Sequence, residues 1–174
     1  AVRTFAEFAE IQRKLTQYIP ALNCIMAKEE SSEISKADAA FILGSISLQP
    51  TYQRALLNLI PNPLTAIFRM IRGGSSEAQA SAARTILILS SNPEIRRKIA
   101  GYTYRERVLV NKSTLEEAHI AWDALDAACG LLEKKQTSEN RCYGAGIIQN
   151  FAGLEEICEK IKQRSKNDTS TFRN

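Results

Sequence analysis

The chain has 174 residues, of which 44% are hydrophobic and 24% are charged, and this is enough for one globular domain with its own core. Its 23 basic and 19 acidic residues leave a net charge of only +4, a small excess for a dedicated nucleic-acid-binding protein. No apolar run reaches the roughly 18 residues of a membrane-spanning helix, so the sequence predicts no transmembrane segment.

The first predicted element is a helix over 4–18. Apolar residues recur in it at helical spacing, at Phe5, Phe8, Ile11 and Leu15. We interpret this helix as a cap on the first end of a helical stack.

Two units related by a shift of 43 residues follow. In each unit a proline, Pro20 or Pro63, opens an apolar helix, and a polar break separates it from a longer helix over 34–48 or 77–91. A second proline then opens a short helix. The coinciding positions include Ser32 and Ser75, Ala39-Ala40 and Ala82-Ala83, Leu43 and Ile86, Ile46 and Leu89, and Pro50 and Pro93. A fixed period of this length is typical of stacked helical repeats.

Beyond residue 100 the repeat is weaker. The paired small residues recur as Ile120-Ala121 within a predicted helix over 114–129, at an offset of 38 rather than 43, and further fragments follow at 138–141 and 152–161. Terminal repeats are usually atypical because they cap the stack. We therefore assign 1–165 to one helical repeat domain and 166–174 to a polar C-terminal tail with the composition of a disordered segment.

Three segments resemble the armadillo repeat family: SSEAQASAARTILILSSNPEIRRKIA at 75–100, NPLTAIFRMIRGG at 62–74 and FAGLEEICEKI at 151–161. The first is similar to the third helix of one armadillo repeat followed by the first helix of the next, and the other two are similar to second helices. Since armadillo and HEAT repeats grade into one another, we describe the chain as armadillo-like. The resemblance implies an all-α fold, a right-handed α-solenoid of about three repeats with atypical capping helices.

In armadillo proteins the third helices line a concave groove, where recurring tryptophan and asparagine residues bind extended peptides. The resemblance places this groove on the helices 34–48, 77–91 and 114–129. Its candidate partner-binding residues are Phe41, Ser45, Arg84, Ile88, Trp122 and Asp126. Because these positions hold one tryptophan and no asparagine, we expect neither the peptide-backbone clamp nor a nuclear-import receptor role. Trp122 is either a groove anchor or a core residue.

Positive charge concentrates in the middle of the chain. It is a candidate patch for an acidic partner, anionic lipid or RNA, and a solvated surface is the alternative. The residues are Arg69, Arg72, Arg96, Arg97, Lys98, Arg105 and Arg107.

Catalytic and cofactor motifs are missing from the sequence. His119, with Glu116 three residues before it, is the one candidate for acid–base chemistry, and a surface histidine is the alternative. The four cysteines form no C-x-x-C pair, which predicts buried thiols in a reducing compartment and no metal site, with a disulfide as the alternative to buried thiols. They are Cys24, Cys129, Cys142 and Cys158. We expect no enzymatic activity and no cofactor.

These observations predict a non-enzymatic protein–protein interaction module, or a scaffold subunit of a larger intracellular complex, whose partners are other protein subunits or a peptide segment. The alternative is an adaptor that binds nucleic acid or an anionic membrane through the Arg-rich middle. We expect a cytoplasmic location ahead of a mitochondrial one. A processed organellar protein is also compatible with a chain that begins at Ala1 rather than methionine.

Overall fold

The computed structural model describes Glu10, Lys14 and residues 17–59, 62–111 and 116–171, with side chains outside 104–122 and 164–171. The helices are α1 Ile19–Ala27, α2 Glu33–Ile46, α3 Pro50–Leu57, α4 Pro63–Gly73, α5 Ser76–Ser91, α6 Pro93–Ala100, α7 Ala124–Gly130, α8 Ser138–Phe151 and α9 Glu155–Thr171. Two strands, β1 Thr103–Asn111 and β2 Glu116–Asp123, lie between α6 and α7. The prediction of an all-α fold is confirmed for these helices, whereas the two strands depart from it.

Hydroxyl groups cap the three helices α2, α5 and α8 in the same way. Ser32 Oγ accepts a hydrogen bond from the Ser35 amide at 3.1 Å. Ser75 Oγ accepts from Ala78 at 3.2 Å, and Thr137 Oγ1 accepts from Asn140 at 3.1 Å. Each bond satisfies an amide that the first helical turn leaves unpaired, which explains why the helices begin at these points.

The helix starts repeat with two spacings. Helices α2, α5 and α8 start at residues 33, 76 and 138, and helices α3, α6 and α9 start at residues 50, 93 and 155. Both series advance by 43 residues and then by 62. The third unit therefore keeps the 17-residue spacing between these two helix starts and follows 19 additional residues, which accounts for the loss of register after residue 100.

The additional residues form an antiparallel β-hairpin. Tyr104 pairs with Trp122 and Val108 pairs with Ala118 in its backbone register, which is irregular between Leu109 and Asn111. The helix predicted over 114–129 is thus wrong over β2 and correct only from α7 onward. Pairing with β1, a non-local interaction, outweighs the helical spacing of the alanines in β2.

The helices pack in two layers around a continuous core. In one layer α2 packs on α5 and α5 packs on α8, while α1, α4 and α7 pack in the same order in the second layer. Leu43, Ile86 and Phe151 are fully buried where the layers meet. The short helices α3 and α6 link successive units, and the longer helix α9 follows α8 in the third unit. Equivalent helices of the three units lie side by side.

α2 and α5 approach unusually closely at Gly44. A Cβ atom added to Gly44 would lie 2.6 Å from Thr85 Oγ1. Thr85 is fully buried, and its hydroxyl lies 2.9 Å from both the Ala40 and the Ser81 carbonyl oxygens. A glycine is therefore required at this helix crossing by space rather than by backbone conformation.

Three other predictions concern the two chain ends and the cysteines. Most of the cap helix predicted over 4–18 lies outside the described residues. Within that range Glu10 and Lys14 are described, and they form an i,i+4 ion pair of 3.5 Å. The predicted tail is helical as far as Thr171, because α9 extends through it, and 172–174 lie outside the described residues. The prediction that the thiols are buried is wrong. Cys158 is half-buried, and the other three cysteines are exposed: Cys24, Cys129 and Cys142.

Candidate functional site

A cleft of about 460 Å³ runs across one layer of helices. We call it the α2–α5–α8 cleft, since each of these helices contributes to its walls. Its walls include Phe41 from α2, Glu77 and Arg84 from α5, and Glu139 and Tyr143 from α8. Because equivalent helices lie side by side, residues from all three units reach one surface.

Arg84 is held in place by its neighbour on α2. The guanidinium carbon lies 4.7 Å from the centroid of the Phe41 ring, and Nη1 donates a hydrogen bond of 3.4 Å to Ser45 Oγ. The Ser45 hydroxyl in turn donates to the Phe41 carbonyl oxygen at 2.9 Å. Stacking at a partly exposed site contributes about 0.5–1 kcal/mol, so the guanidinium plane is oriented before any ligand binds.

The charged groups of the cleft are not neutralised by the surrounding protein. Among the residues that the structure describes, neither Arg84 nor Glu77 takes part in an ion pair. Phe41 is 50% exposed although it is a large aromatic side chain. The cleft therefore presents an oriented cation, a carboxylate and an exposed ring to solvent.

Tyr143 and Glu139 form the α8 wall of the cleft. The Tyr143 hydroxyl donates a hydrogen bond of 2.9 Å to Glu139 Oε1. Burial raises the pKa of Tyr143 above its ordinary value of 10.0, and the hydrogen bond and negative charge of Glu139 raise it further, while the positive charge of Arg84 acts in the opposite direction. The hydroxyl therefore remains a neutral donor at physiological pH.

The structure separates the six predicted groove residues. Phe41, Ser45 and Arg84 are in mutual contact, and Ile88 lies one turn further along α5, half-buried. Trp122 lies in β2 rather than on a helix of this layer, and its side chain is outside the described residues.

Asp126 belongs to the second layer of helices. It forms a capping box at the start of α7, where its amide donates to Asp123 Oδ1 at 2.8 Å and its carboxylate accepts from the Asp123 amide at 3.0 Å. Its placement in the groove was wrong, because the helix on which that prediction rested is a strand up to Asp123.

The spacing of 62 residues identifies the correct third-unit counterparts. Gly146 corresponds to Arg84, and Asn150 corresponds to Ile88. At this spacing an asparagine occupies the third-unit position for which the offset of 38 residues gave Asp126. Asn150 Nδ2 donates to Ser90 Oγ at 2.9 Å and to the Leu87 carbonyl oxygen at 3.3 Å, which joins α8 to α5. Thr137 as an N-cap, followed by Gly144-Ala145, is the sequence signal for this register.

A second, smaller cleft of about 250 Å³ lies between α4 and α7. Phe68 and Ile71 contribute apolar walls, and Arg72, Asp123 and Asp126 line its rim. Both aspartates already cap α7, and Lys160 lies 3.4 Å from Asp123. This cleft is therefore the weaker candidate for a ligand site.

The seven cations of the predicted basic patch lie on three elements: Arg69 and Arg72 on α4, Arg96, Arg97 and Lys98 on α6, and Arg105 and Arg107 on β1. Arg96 and Arg97 make contacts that join α6 to its neighbours. Arg96 Nε donates to the Ser90 carbonyl oxygen at 2.9 Å and Nη2 to Ser91 at 3.2 Å, which caps the end of α5. Arg97 lies 3.6 Å from Glu156.

Within the described parts of the chain, no group of three or more His, Cys, Asp or Glu side chains is arranged to hold a metal ion. Nor does any helix described there have the length and apolarity to cross a membrane. His119 and Glu116 both lie in β2, among the residues without described side chains. No family model, curated protein or solved structure matches this chain.

Proposed function

We propose that this chain is an armadillo-like helical repeat domain and a non-enzymatic protein-binding module that uses the α2–α5–α8 cleft. The observation that carries this proposal is the grouping of Phe41, Arg84 and Tyr143, from three stacked helices, at one open surface. Support for the armadillo-like arrangement comes from the equal advance of two helix series along the chain. A right-handed solenoid of three such units is the arrangement we infer.

The residue types in the cleft favour a protein partner. Aromatic residues and arginine are enriched in the centres of protein interfaces and carry much of the binding energy there. Phe41 presents half of its surface for burial, and the Arg84 guanidinium has hydrogen-bond donors that the protein uses only in part. A polypeptide can bury the ring and satisfy the donors in one contact.

The exposed apolar residues of α2 extend this surface. Ile34 is 69% exposed and lies seven residues before Phe41 on the same face of α2, and Leu48, in the turn that follows the helix, is 53% exposed. Protein binding is favoured over the nucleic-acid or membrane alternative because the cations of the middle region are spread over three elements, with Arg96 and Arg97 engaged in internal contacts.

Site-specific photocrosslinking tests this proposal. A benzophenone amino acid is placed at position 76, which is exposed and lines the cleft, and in a matched control at position 98, an exposed site on α6. Irradiation of cells or extract should give a discrete protein adduct from position 76 alone, and Arg84→Glu in the same chain should abolish it. Equal adducts from both positions, or none from position 76, would show that this cleft is not a protein-binding site.

A further inference from the structure

The charges of the cleft are distributed in a definite order. Glu77 and Arg84 are seven residues apart on α5, which places them on one face of the helix and about 10 Å apart along its axis. Glu139 is the α8 counterpart of Glu77 at the spacing of 62 residues. One end of the cleft thus carries two carboxylates, and the other end carries one guanidinium.

Arg84 is suited to bind a carboxylate. Its plane is held by the Phe41 ring, and one of its donors is fixed by Ser45. A planar guanidinium held in this way pairs with a carboxylate through two parallel hydrogen bonds, and pre-orientation reduces the entropy lost on binding. Among the described residues no acidic side chain forms an ion pair with Arg84, so a bound carboxylate would displace none.

The acidic end of the cleft disfavours a polyanion. A nucleic-acid strand or a polyacidic segment that reached Arg84 would bring a second negative charge close to Glu77 and Glu139, within the distance over which charges interact at physiological ionic strength. A cation at that end is instead attracted by both carboxylates. The mixed charge of the cleft therefore selects a ligand of mixed charge.

We propose, on the basis of the protein-binding role above, that the cleft binds an extended polypeptide segment carrying an acidic and a basic side chain about three residues apart. The acidic side chain pairs with Arg84, and the lysine or arginine lies between Glu77 and Glu139. The spacing follows from the axial separation of about 10 Å and a rise of about 3.3 Å per residue in an extended chain. Phe41 packs against the residues between the two charges.

Four fluorescein-labelled 12-residue peptides test the inference by fluorescence anisotropy with the full chain. They share one neutral, partly apolar scaffold and differ only at two positions three residues apart: Lys and Glu, Glu and Lys, Glu and Glu, or Lys and Lys. Both mixed orders are included because the segment can bind in either direction. The better mixed peptide should bind at least about tenfold more tightly than either like-charged peptide.

Charge reversal supplies the matched comparison. Arg84→Glu should make the Lys and Lys peptide the preferred ligand, whereas Lys98→Glu, which changes the net charge equally at an exposed site outside the cleft, should leave the order of preference unchanged. A shift of the Arg84 Nε–H resonance on titration with the mixed peptide locates the contact.

Three results would overturn the inference: equal binding of all four peptides, preference for the Glu and Glu peptide, or binding of none of them up to millimolar concentration. The crosslinks from position 76 are read separately. A protein adduct at position 76 combined with any of these three results would retain the protein-binding function and reject the ligand chemistry.

Discussion

The substitution Gly44→Ala tests the close packing of α2 against α5 at Thr85. The added Cβ would lie 2.6 Å from Thr85 Oγ1, well inside the ordinary contact distance of about 3.5 Å. Both residues are buried, and the Thr85 hydroxyl is anchored to two carbonyl oxygens, so rotation of this side chain would break hydrogen bonds.

The expected effect combines three contributions. Overpacking a core contact costs about 1–3 kcal/mol, and weakening the hydrogen bond from Thr85 to the Ala40 carbonyl costs about 1 kcal/mol. Alanine regains up to about 1 kcal/mol over glycine in a helix. The free energy of unfolding should therefore fall by about 2 kcal/mol, with a Tm lower by about 4–8 °C for a chain of this size.

Urea denaturation followed by circular dichroism measures this change, with two controls. Gly73→Ala places a Cβ with no atom within 4 Å and should leave the stability unchanged or raise it by up to about 1 kcal/mol. In a Thr85→Ala background, Gly44→Ala should lose most of its cost, because the nearest remaining atom is Thr85 Cα at 3.4 Å. If Gly44→Ala does not destabilise the wild-type chain, or costs the same in both backgrounds, the proposed contact is incorrect.

Three further predictions concern the cap, the hairpin and the tyrosine. Thr137→Ala should lower the free energy of unfolding by about 1 kcal/mol through loss of the N-cap of α8, whereas Thr137→Ser should preserve it; equal losses would show that the cap is not the cause. Deletion of 104–122, which joins Thr103 to Asp123, should retain the helical far-UV signal and keep Tm within about 4 °C, and loss of the helical signal would mean that the hairpin is integral to the core. Because the pKa of Tyr143 is raised in the folded state, the unfolded chain releases this proton first and stability should fall as the pH rises above 10.0. The decline between pH 9 and 11 should be smaller in Tyr143→Phe, and identical pH profiles of unfolding would refute it.

The helices of the first two units follow directly from their sequence. Ser32 and Ser75 cap α2 and α5, and Pro50 and Pro93 begin α3 and α6, as the shift of 43 residues predicts. The contact between Phe41 and Arg84 also follows from the repeat, since the two positions are 43 residues apart and equivalent helices pack side by side. Local signals sufficed here because caps and helix breakers act within a few residues.

The third unit required information that the local sequence does not contain. Residues 116–123 have alanine and isoleucine at spacings compatible with a helix, and only pairing with 103–111 selects a strand. Residues 103–111 show no regular alternation of polar and apolar residues, since Arg105, Glu106 and Arg107 are consecutive. The helix predicted over 114–129 led to the assignment of Trp122 and Asp126 to the groove. Tyr143 and Glu139 were missed because the hairpin residues increase the sequence offset between α5 and α8 from 43 to 62.

The two ends of the hairpin meet. Thr103 and Asp123 are backbone partners, so the chain returns to within about 5 Å of the point where it departed, little more than a single residue step. Because the hairpin leaves and rejoins the helical domain at nearly the same point, it displaces neither layer of helices. The hairpin can therefore change in length or sequence without moving α8 relative to α5. Substitutions in the hairpin should leave the shape of the α2–α5–α8 cleft unchanged.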